Sequence, residues 1–322
     1  MLKRTLFTLA ILIVAAPVGV RAQEGAEVPK QLAVPVAFFS GQRSMEVLRV
    51  QTMLDRSPFS PGVVNGVMGS NTRRAIAAFE EASGLPASGE ITPELIASLE
   101  AAHPGAALRQ YTVSEQDVAG PFTAVPASMP EMAKLDQLGF ESAAEALAEK
   151  FHMDRRFLEA LNPFVDFGVA GAKIVVIAGS GAEPIGAVAR IEVDKEAATL
   201  RAFDDGGALL ATFPATIGSG DFPSPSGAME VRAVAPEPKY YFDPDGRNWG
   251  PDERLTIAAG PNNPVGGTWI DLTKEGYGIH GTPDPRLIGR TASHGCVRLT
   301  NWDAAALAKA VKSGTSVVFV GS

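Results

Sequence analysis

Apolar positions recur at helical spacing from residue 44 to about 100. Val47, Val50 and Leu54 share one face, and Ile76 with Phe79 marks a second helix. Thr92-Pro93-Glu94 opens a third: a capping hydroxyl, a proline at the first helical position, and an acid against the positive end of the helix dipole. The turn-rich run 61–69 joins the first two helices. Beyond a linker read over 101–110 a second pattern begins. Ser142-x-x-Glu145 is a capping box ahead of a stripe of Ala144, Leu147 and Phe151. Asp154 can cap a further helix carrying Phe157, Leu158 and Leu161, which Asn162-Pro163 ends, and Lys173–Ile177 reads as a strand. From about residue 186 the period drops to two, with Ile191 and Val193 alternating with Arg190, Glu192 and Asp194. Asp204-Asp205-Gly206-Gly207 separates Thr199–Phe203 from 208–213 and predicts a hairpin. Further strands are expected around Val231 and Ala233, at Thr268–Leu272 and at 315–320, with one helix over 301–311 turning Ala304, Leu307, Ala308 and Val311 inward. The pattern predicts a multidomain α+β chain. A helical three-helix module (44–100) and a small α/β module (111–185) precede a mainly antiparallel β domain with one packed helix (186–322).

Length and charge narrow the function. The chain has 322 residues, enough for two or three domains, and a net charge of −8 with no run of basic residues. A nucleic-acid partner is therefore not expected, because phosphate binding needs clustered Lys and Arg. Residues 1–22 read as a secretory signal: Lys3 and Arg4, an apolar stretch over 6–16, then Val20-Arg21-Ala22 with small residues at the cleavage positions. An uncleaved anchor is the competing reading, but the apolar run is shorter than the roughly 20 residues a spanning helix needs. Residues 23–43 read as a flexible, Pro-containing lead-in. The expected location is the periplasm or cell envelope, with no membrane span after cleavage.

Export changes the meaning of the sole cysteine, Cys296. Exported proteins use cysteines mostly in disulfide pairs, and a lone thiol there risks oxidation, so keeping one suggests that its chemistry is needed. It lies in Ser293-His294-Gly295-Cys296-Val297-Arg298, downstream of Ile279-His280-Gly281. A lone cysteine near histidines is a candidate nucleophile, and a thiol needs a base or a cation to become thiolate at neutral pH. The competing readings are a small core cysteine and a zinc site made with His280 and His294. The polar flanks argue against the first, and the lack of closely paired ligands against the second. His103 and His152 carry no assigned chemistry.

Two regions resemble known families. Val50-Gln51-x-x-Leu54, Gly62-Val63-Val64-Asn65-Gly66-x-x-Gly69-x-x-Thr72-x-x-Ala75-Ile76-x-x-Phe79 and Gly84-Leu85 resemble the three-helix peptidoglycan-binding domain. Asn65 stands there in place of a common Asp, and Glu80 in place of a common Gln. The segment over 111–185 resembles a degenerate LysM domain. Residues 186–320 resemble the L,D-transpeptidase family with its YkuD-type fold. The matching residues are Gly218-Ser219-Gly220, Pro225-Ser226-Gly227, Asn263-Pro264, Trp269-Ile270-x-Leu272, Tyr277 to Thr282, Ile288-Gly289, Ser293 to Leu299 and Asn301-x-Asp303-Ala304.

The resemblance implies a cofactor-free acyltransferase acting on peptidoglycan stem peptides. Cys296 would be the nucleophile and His280 the base, oriented by a backbone carbonyl near Gly281. Amides around Gly295 and Cys296 would bind the oxyanion. Tyr277, Ser293, His294 and Arg298 are candidate substrate-binding residues. His294 remains open between a role in holding the turn and the base role itself. Arg298 remains open between binding a substrate carboxylate and pairing with a core acid. Expected partners are peptidoglycan stems and glycan, with a protein anchored to the wall as a possible acceptor. Water as acceptor would give a carboxypeptidase or endopeptidase, and a catalytically silent wall-binding adaptor is the reading from another class.

Overall fold

The computed structural model describes residues 34–39, 41–179, 184–218, 223–245, 248–293 and 295–321. The expected leader over 1–22 lies outside them, as does His294. Three helices open the described chain: α1 (Met45–Arg56), α2 (Ser70–Ala82) and α3 (Pro93–Ala102). Ser44 Oγ accepts from Glu46 N and Thr92 Oγ1 from Leu95 N, so two of the helix starts are side-chain capped, each worth about 1 kcal/mol. Val50, Leu54, Ile76, Phe79, Leu95 and Leu99 form their core. Gln51 is buried and organises the turn between α1 and α2. Its Nε2 donates to Val67 O (3.1 Å) and Thr72 Oγ1 (3.0 Å), and its Oε1 accepts from Gly66 N (2.8 Å). The two unusual residues of this module both have structural roles. Asn65 Oδ1 accepts from Val67 N (2.9 Å), and the buried Glu80 carboxylate accepts from Ser88 N (2.7 Å) and Gly89 N (2.9 Å).

The lead-in is not loose where it is described. Phe38 is fully buried, with its ring 5.6 Å from that of Phe157 in the second module, and Val34 packs on the same cluster, so the apolar end of the lead-in is docked. The linker expected over 101–110 likewise gives way at Leu108 to strand β1 (Leu108–Thr112), which pairs antiparallel with β2 (Lys173–Ile177). Between these strands lie the single turn α4 (Met129–Met132) and the helices α5 (Ala143–Lys150) and α6 (Arg155–Leu161). Ser142 Oγ caps α5 and Asp154 Oδ1 caps α6. Asn162 ties α6 to the sheet, donating to Leu158 O (2.9 Å) and Val175 O (2.8 Å) while accepting from Val175 N.

The last part is built on ten strands: β3 (Arg190–Asp194), β4 (Thr199–Phe203), β5 (Leu209–Pro214), β6 (Gly227–Pro236), β7 (Tyr240–Phe242), β8 (Leu255–Ile257), β9 (Thr268–Leu272), β10 (Gly278–His280), β11 (Val297–Arg298) and β12 (Ser316–Val320), with helix α7 (Asn301–Ala310). Eight of them form one sheet in the order β11-β10-β9-β6-β12-β3-β4-β5, while β7 and β8 pair separately. The pairing is antiparallel except for β10 with β11 and β12 with β3. The sheet's two ends meet. Just after β5, Thr216 N donates to Arg298 O (2.9 Å) and Arg298 N to Thr216 O (2.8 Å), with a further bridge between Gly218 and Ser293.

The three parts share one buried polar junction at the start of α7. His152 Nδ1 lies 2.8 Å from Asp55 Oδ1, and its ring stacks on Trp302 at 4.7 Å. Ser60 Oγ donates to Asp303 Oδ2 (3.0 Å), and Ser60 N donates to Thr212 O (2.9 Å). Burial pushes Asp303 up to about 6 and Glu149 up to about 7. Burial opposes charging His152, but the Asp55 charge and hydrogen bond outweigh it and raise its pKa. All three groups therefore hold protons in the folded chain that the unfolded chain has released, so stability falls as pH rises through these values. The unfolding free energy of the full chain should fall by about 1–3 kcal/mol from pH 5 to pH 8, seen as a lower melting temperature. Glu149→Gln should flatten part of that slope; a slope unchanged in the variant would remove Glu149 from the linkage.

Candidate active site

Cys296 sits where the sheet closes, immediately before β11, and is partly exposed. Its thiol lies 3.7 Å from Gly276 O. Several neighbours fix the turn that carries it. Ser293 Oγ donates to Cys296 O (2.5 Å) and accepts from Gly295 N (3.2 Å). Ser224 Oγ donates to Gly295 O (2.7 Å) and accepts from Gly218 N (2.9 Å). Gly295 has φ +112°, and a Cβ there would come within 3.0 Å of the Tyr277 ring, so glycine is required on both counts.

His280 is brought to the same edge by parallel pairing of β10 with β11, which sets it opposite Arg298. Its ring is buried, stacked on Trp269 at 5.5 Å, with Nδ1 2.7 Å from Gly281 O. A carbonyl can only accept, so Nδ1 carries the proton and Nε2 keeps a lone pair for proton transfer. Burial, with the Arg298 charge second, lowers the His280 pKa to about 4. The imidazole is neutral at neutral pH, as a general base must be. Arg298 lies close enough to Cys296 for their charges to interact, so the same guanidinium disfavours imidazolium and favours thiolate.

The remaining sequence candidates divide. Arg298 is half-buried, its Nε has no hydrogen-bond partner, and among the described residues it makes no ion pair, which leaves it available to an anion. Tyr277 packs its ring against Gly295, with the Lys274 ammonium 4.8 Å from the ring centre. Ser293, expected to bind substrate, is buried, with its hydroxyl engaged inside the cysteine turn. Sequence reasoning missed Ser224, Trp269 and Asn301 as members of the site. Ser224 adjoins the Pro225-Ser226-Gly227 part of the family resemblance, and Trp269 and Asn301 belong to it, but by local pattern they look like ordinary strand and helix-start residues, so no site role was assigned to them. Asn301 Oδ1 accepts from Thr282 N (3.1 Å) and Gly267 N (3.2 Å) and presses on Gly281, where a Cβ would come within 2.0 Å of it. Gly281→Ala should therefore displace the carbonyl that aligns His280 and slow acylation of Cys296 by about 10²-fold. Stopped-flow acylation rates check this, and a rate near that of the unaltered protein would deny the carbonyl its role.

Both the catalytic region and the helical module match known families. Residues 188–319 match the L,D-transpeptidase catalytic domain family (YkuD), and residues 43–99 match the "Putative peptidoglycan binding domain". The chain is 30% identical over 173 residues to the "Putative L,D-transpeptidase YkuD" of Bacillus licheniformis, covering 54% of this chain and 90% of that protein. Its counterpart in Bacillus subtilis is 29% identical over 172 residues, covering 53% and 90%. Among solved structures, an L,D-transpeptidase from Mycobacterium smegmatis aligns over 48% of this chain and 64% of its own length, with 21% identity and a TM-score of 0.35, too partial to carry side-chain roles across. With its catalytic region and nearly the whole of a Bacillus relative matched, the chain belongs to the L,D-transpeptidase family.

Proposed function

We propose that the protein is an exported cysteine acyltransferase of the cell wall. Cys296 Sγ attacks the amide carbonyl after the third, diamino-acid residue of a tetrapeptide stem. His280 Nε2 takes the thiol proton and delivers it to the departing D-alanine amine. The resulting thioester is resolved by an amine of a second stem or of an anchored protein. The observation that carries this reading is the neutral, buried His280, with Nδ1 on the Gly281 carbonyl, on the strand paired with the one that starts just after the partly exposed Cys296. The Cys296 amide is the oxyanion donor in this reading, because the Gly295 amide, expected to share that role, is taken by Ser293 Oγ, and Arg298 is the site for a substrate carboxylate. Among the described residues no helix is long and apolar enough to cross a membrane, and export rests on the composition of residues 1–22. The test is incubation of the full chain with a purified tetrapeptide stem, followed by mass spectrometry. A thioester on Cys296 with release of D-alanine, and then a cross-linked dimer, is the expected result. Release of D-alanine with only tripeptide product would make water the acceptor, and no adduct would remove the activity.

The N-terminal modules are proposed to hold the enzyme on peptidoglycan. The helical module matches a peptidoglycan-binding family, and the strand-helix-helix-strand order of the second supports its LysM-like reading. Gln51, Asn65 and Thr72 of the helical module line one small crevice with Pro285, Arg286 and Arg290 of the catalytic region. Bound glycan would thus lie beside catalytic loops. The full chain carrying Cys296→Ala, which cannot form a covalent bond, should sediment with insoluble peptidoglycan. Recovery entirely in the supernatant would end the anchoring role.

A further inference from the structure

Strands β9 and β10 pair antiparallel with Trp269 opposite His280 and Asp271 opposite Gly278. Side chains alternate between faces along a strand, so these four residues share one face of the sheet. The indole does not stand upright on that face. A Cβ at Gly278 would lie 2.4 Å from an indole carbon, so the ring lies across the neighbouring strand at the one position that has no side chain. It reaches His280 as well, with ring centres 5.5 Å apart and planes 21° apart. Its polar edge is also held: Trp269 Nε1 donates to Asp271 Oδ1 (3.3 Å), and Arg232 Nε donates to the other oxygen of Asp271. His280 is 3% exposed, while Trp269 is only partly buried, so the stacked indole takes exposure that the imidazole would otherwise have. The charged groups around the base come from both flanking strands. Arg298 is its register partner on β11, just after Cys296, and Asp271 on β9 is engaged by Trp269 and Arg232. Helix α7 brings the uncharged Asn301 to the Gly281 turn.

We propose that Trp269 is a positioning residue for the catalytic base: its indole, laid over Gly278, holds the His280 ring in one plane and shields it from water. Two restraints are needed to aim Nε2. The Gly281 carbonyl fixes Nδ1, but one hydrogen bond leaves the ring free to turn about it. A stacked plane removes that freedom, so the Nε2 lone pair keeps one direction. The same contact bears on proton affinity. Burial is the main cause that lowers the His280 pKa to about 4, and the indole is part of what buries the ring. An aromatic face also attracts a cation, which works the other way. The low value shows that burial and the Arg298 charge outweigh that attraction. Without the indole, water reaches the imidazole, and the base takes up its proton at a higher pH.

The inference rests on the Cys296–His280 reading, and the experiment separates the two. Three full-chain proteins are compared: unaltered, Trp269→Ala and Trp269→Phe. Acylation by a carbapenem is followed by stopped flow at about pH 5 and about pH 7.5, on either side of the ordinary histidine value. The adduct is located by mass spectrometry, and His280 is titrated through its ¹⁵N imidazole shifts. A missing Cys296 adduct in the unaltered protein counts against the catalytic reading, while the titration still tests the shielding. With the adduct present, Trp269→Ala should slow acylation about tenfold at the higher pH, where the base is neutral in both proteins and only its aim is lost. The loss should be greater at the lower pH, because the His280 midpoint moves up by about one unit or more and the base is protonated there. Trp269→Phe keeps a flat face over Gly278 and should restore the rate to within about threefold, and the midpoint with it. Should the alanine variant fail to fold, Gly278→Ala replaces it: its methyl takes the place of the indole, and both effects should appear in the same direction. A folded variant of either kind whose rate or midpoint stays unaltered overturns the proposal, as does a phenylalanine variant as slow as the alanine one.

Discussion

Cys296→Ala should abolish both turnover of a tetrapeptide stem and covalent labelling by a carbapenem, leaving rates at background. Cys296 is the chain's only cysteine, and hydrogen bonds from Ser293 and Ser224 hold the turn that carries it. Stability should change little, because the thiol is partly exposed and the turn is held by Ser293 and Ser224 rather than by sulfur. Cys296→Ser should fail as well: an alcohol's much higher pKa leaves it unactivated by an imidazole suited to a thiol. Measurable D-alanine release by the alanine variant would sink the mechanism as a whole.

Loss of His280 should be nearly as severe. His280→Ala should reduce the acylation rate by about 10²–10⁴-fold while the chain stays folded, the usual contribution of a general base. The pH dependence is more diagnostic. An ordinary histidine loses its base form as pH falls through about 6.5. His280 is held neutral to about 4 by burial and by the Arg298 charge, so the acid limb of kcat/KM should lie near that value. A limb near 6.5 would mean that solvent or an anion reaches the ring. A larger rate loss in His294→Ala than in His280→Ala, with the melting temperature unchanged, would reverse the assignment of the base.

Local signals in the sequence were reliable where one residue acts on its own neighbourhood. Thr92, Ser142 and Asp154 cap the helices their positions predict, and Lys173–Ile177 is a strand as its apolar run suggests. Cys296 and His280 could be put forward as nucleophile and base for a related reason: a glycine-flanked Cys and His near one another in sequence have few structural duties that would explain them. The junction was not legible. Asp55 and His152 are 97 positions apart and Ser60 and Asp303 are 243 apart, and a polar residue waiting for a distant partner has no periodic signature. Asn301 looked like the ordinary start of a helix because the loops it holds lie 19 and 34 positions away in sequence. The lead-in was misread because the apolar run over 32–39 is too short and has no helical or strand period, so only its burial of Phe38 shows that it is a packed end.

The closure of the sheet at Thr216 and Arg298 constrains how a substrate can be read. Many enzymes that act on peptides hold them as an extra strand on an exposed sheet edge, so that the ladder supplies affinity and the alternation of side chains supplies register. Strand β11 offers no such edge. Arg298 has already committed its N–H and carbonyl to Thr216, and His280 lies on its other side. A donor must be gripped by side chains and by the few amides of the cysteine turn. That suits a short stem of mixed handedness. D-residues disturb the pleat of an added strand, but in a site without a ladder they are at no disadvantage, and chirality can be judged at each contact separately.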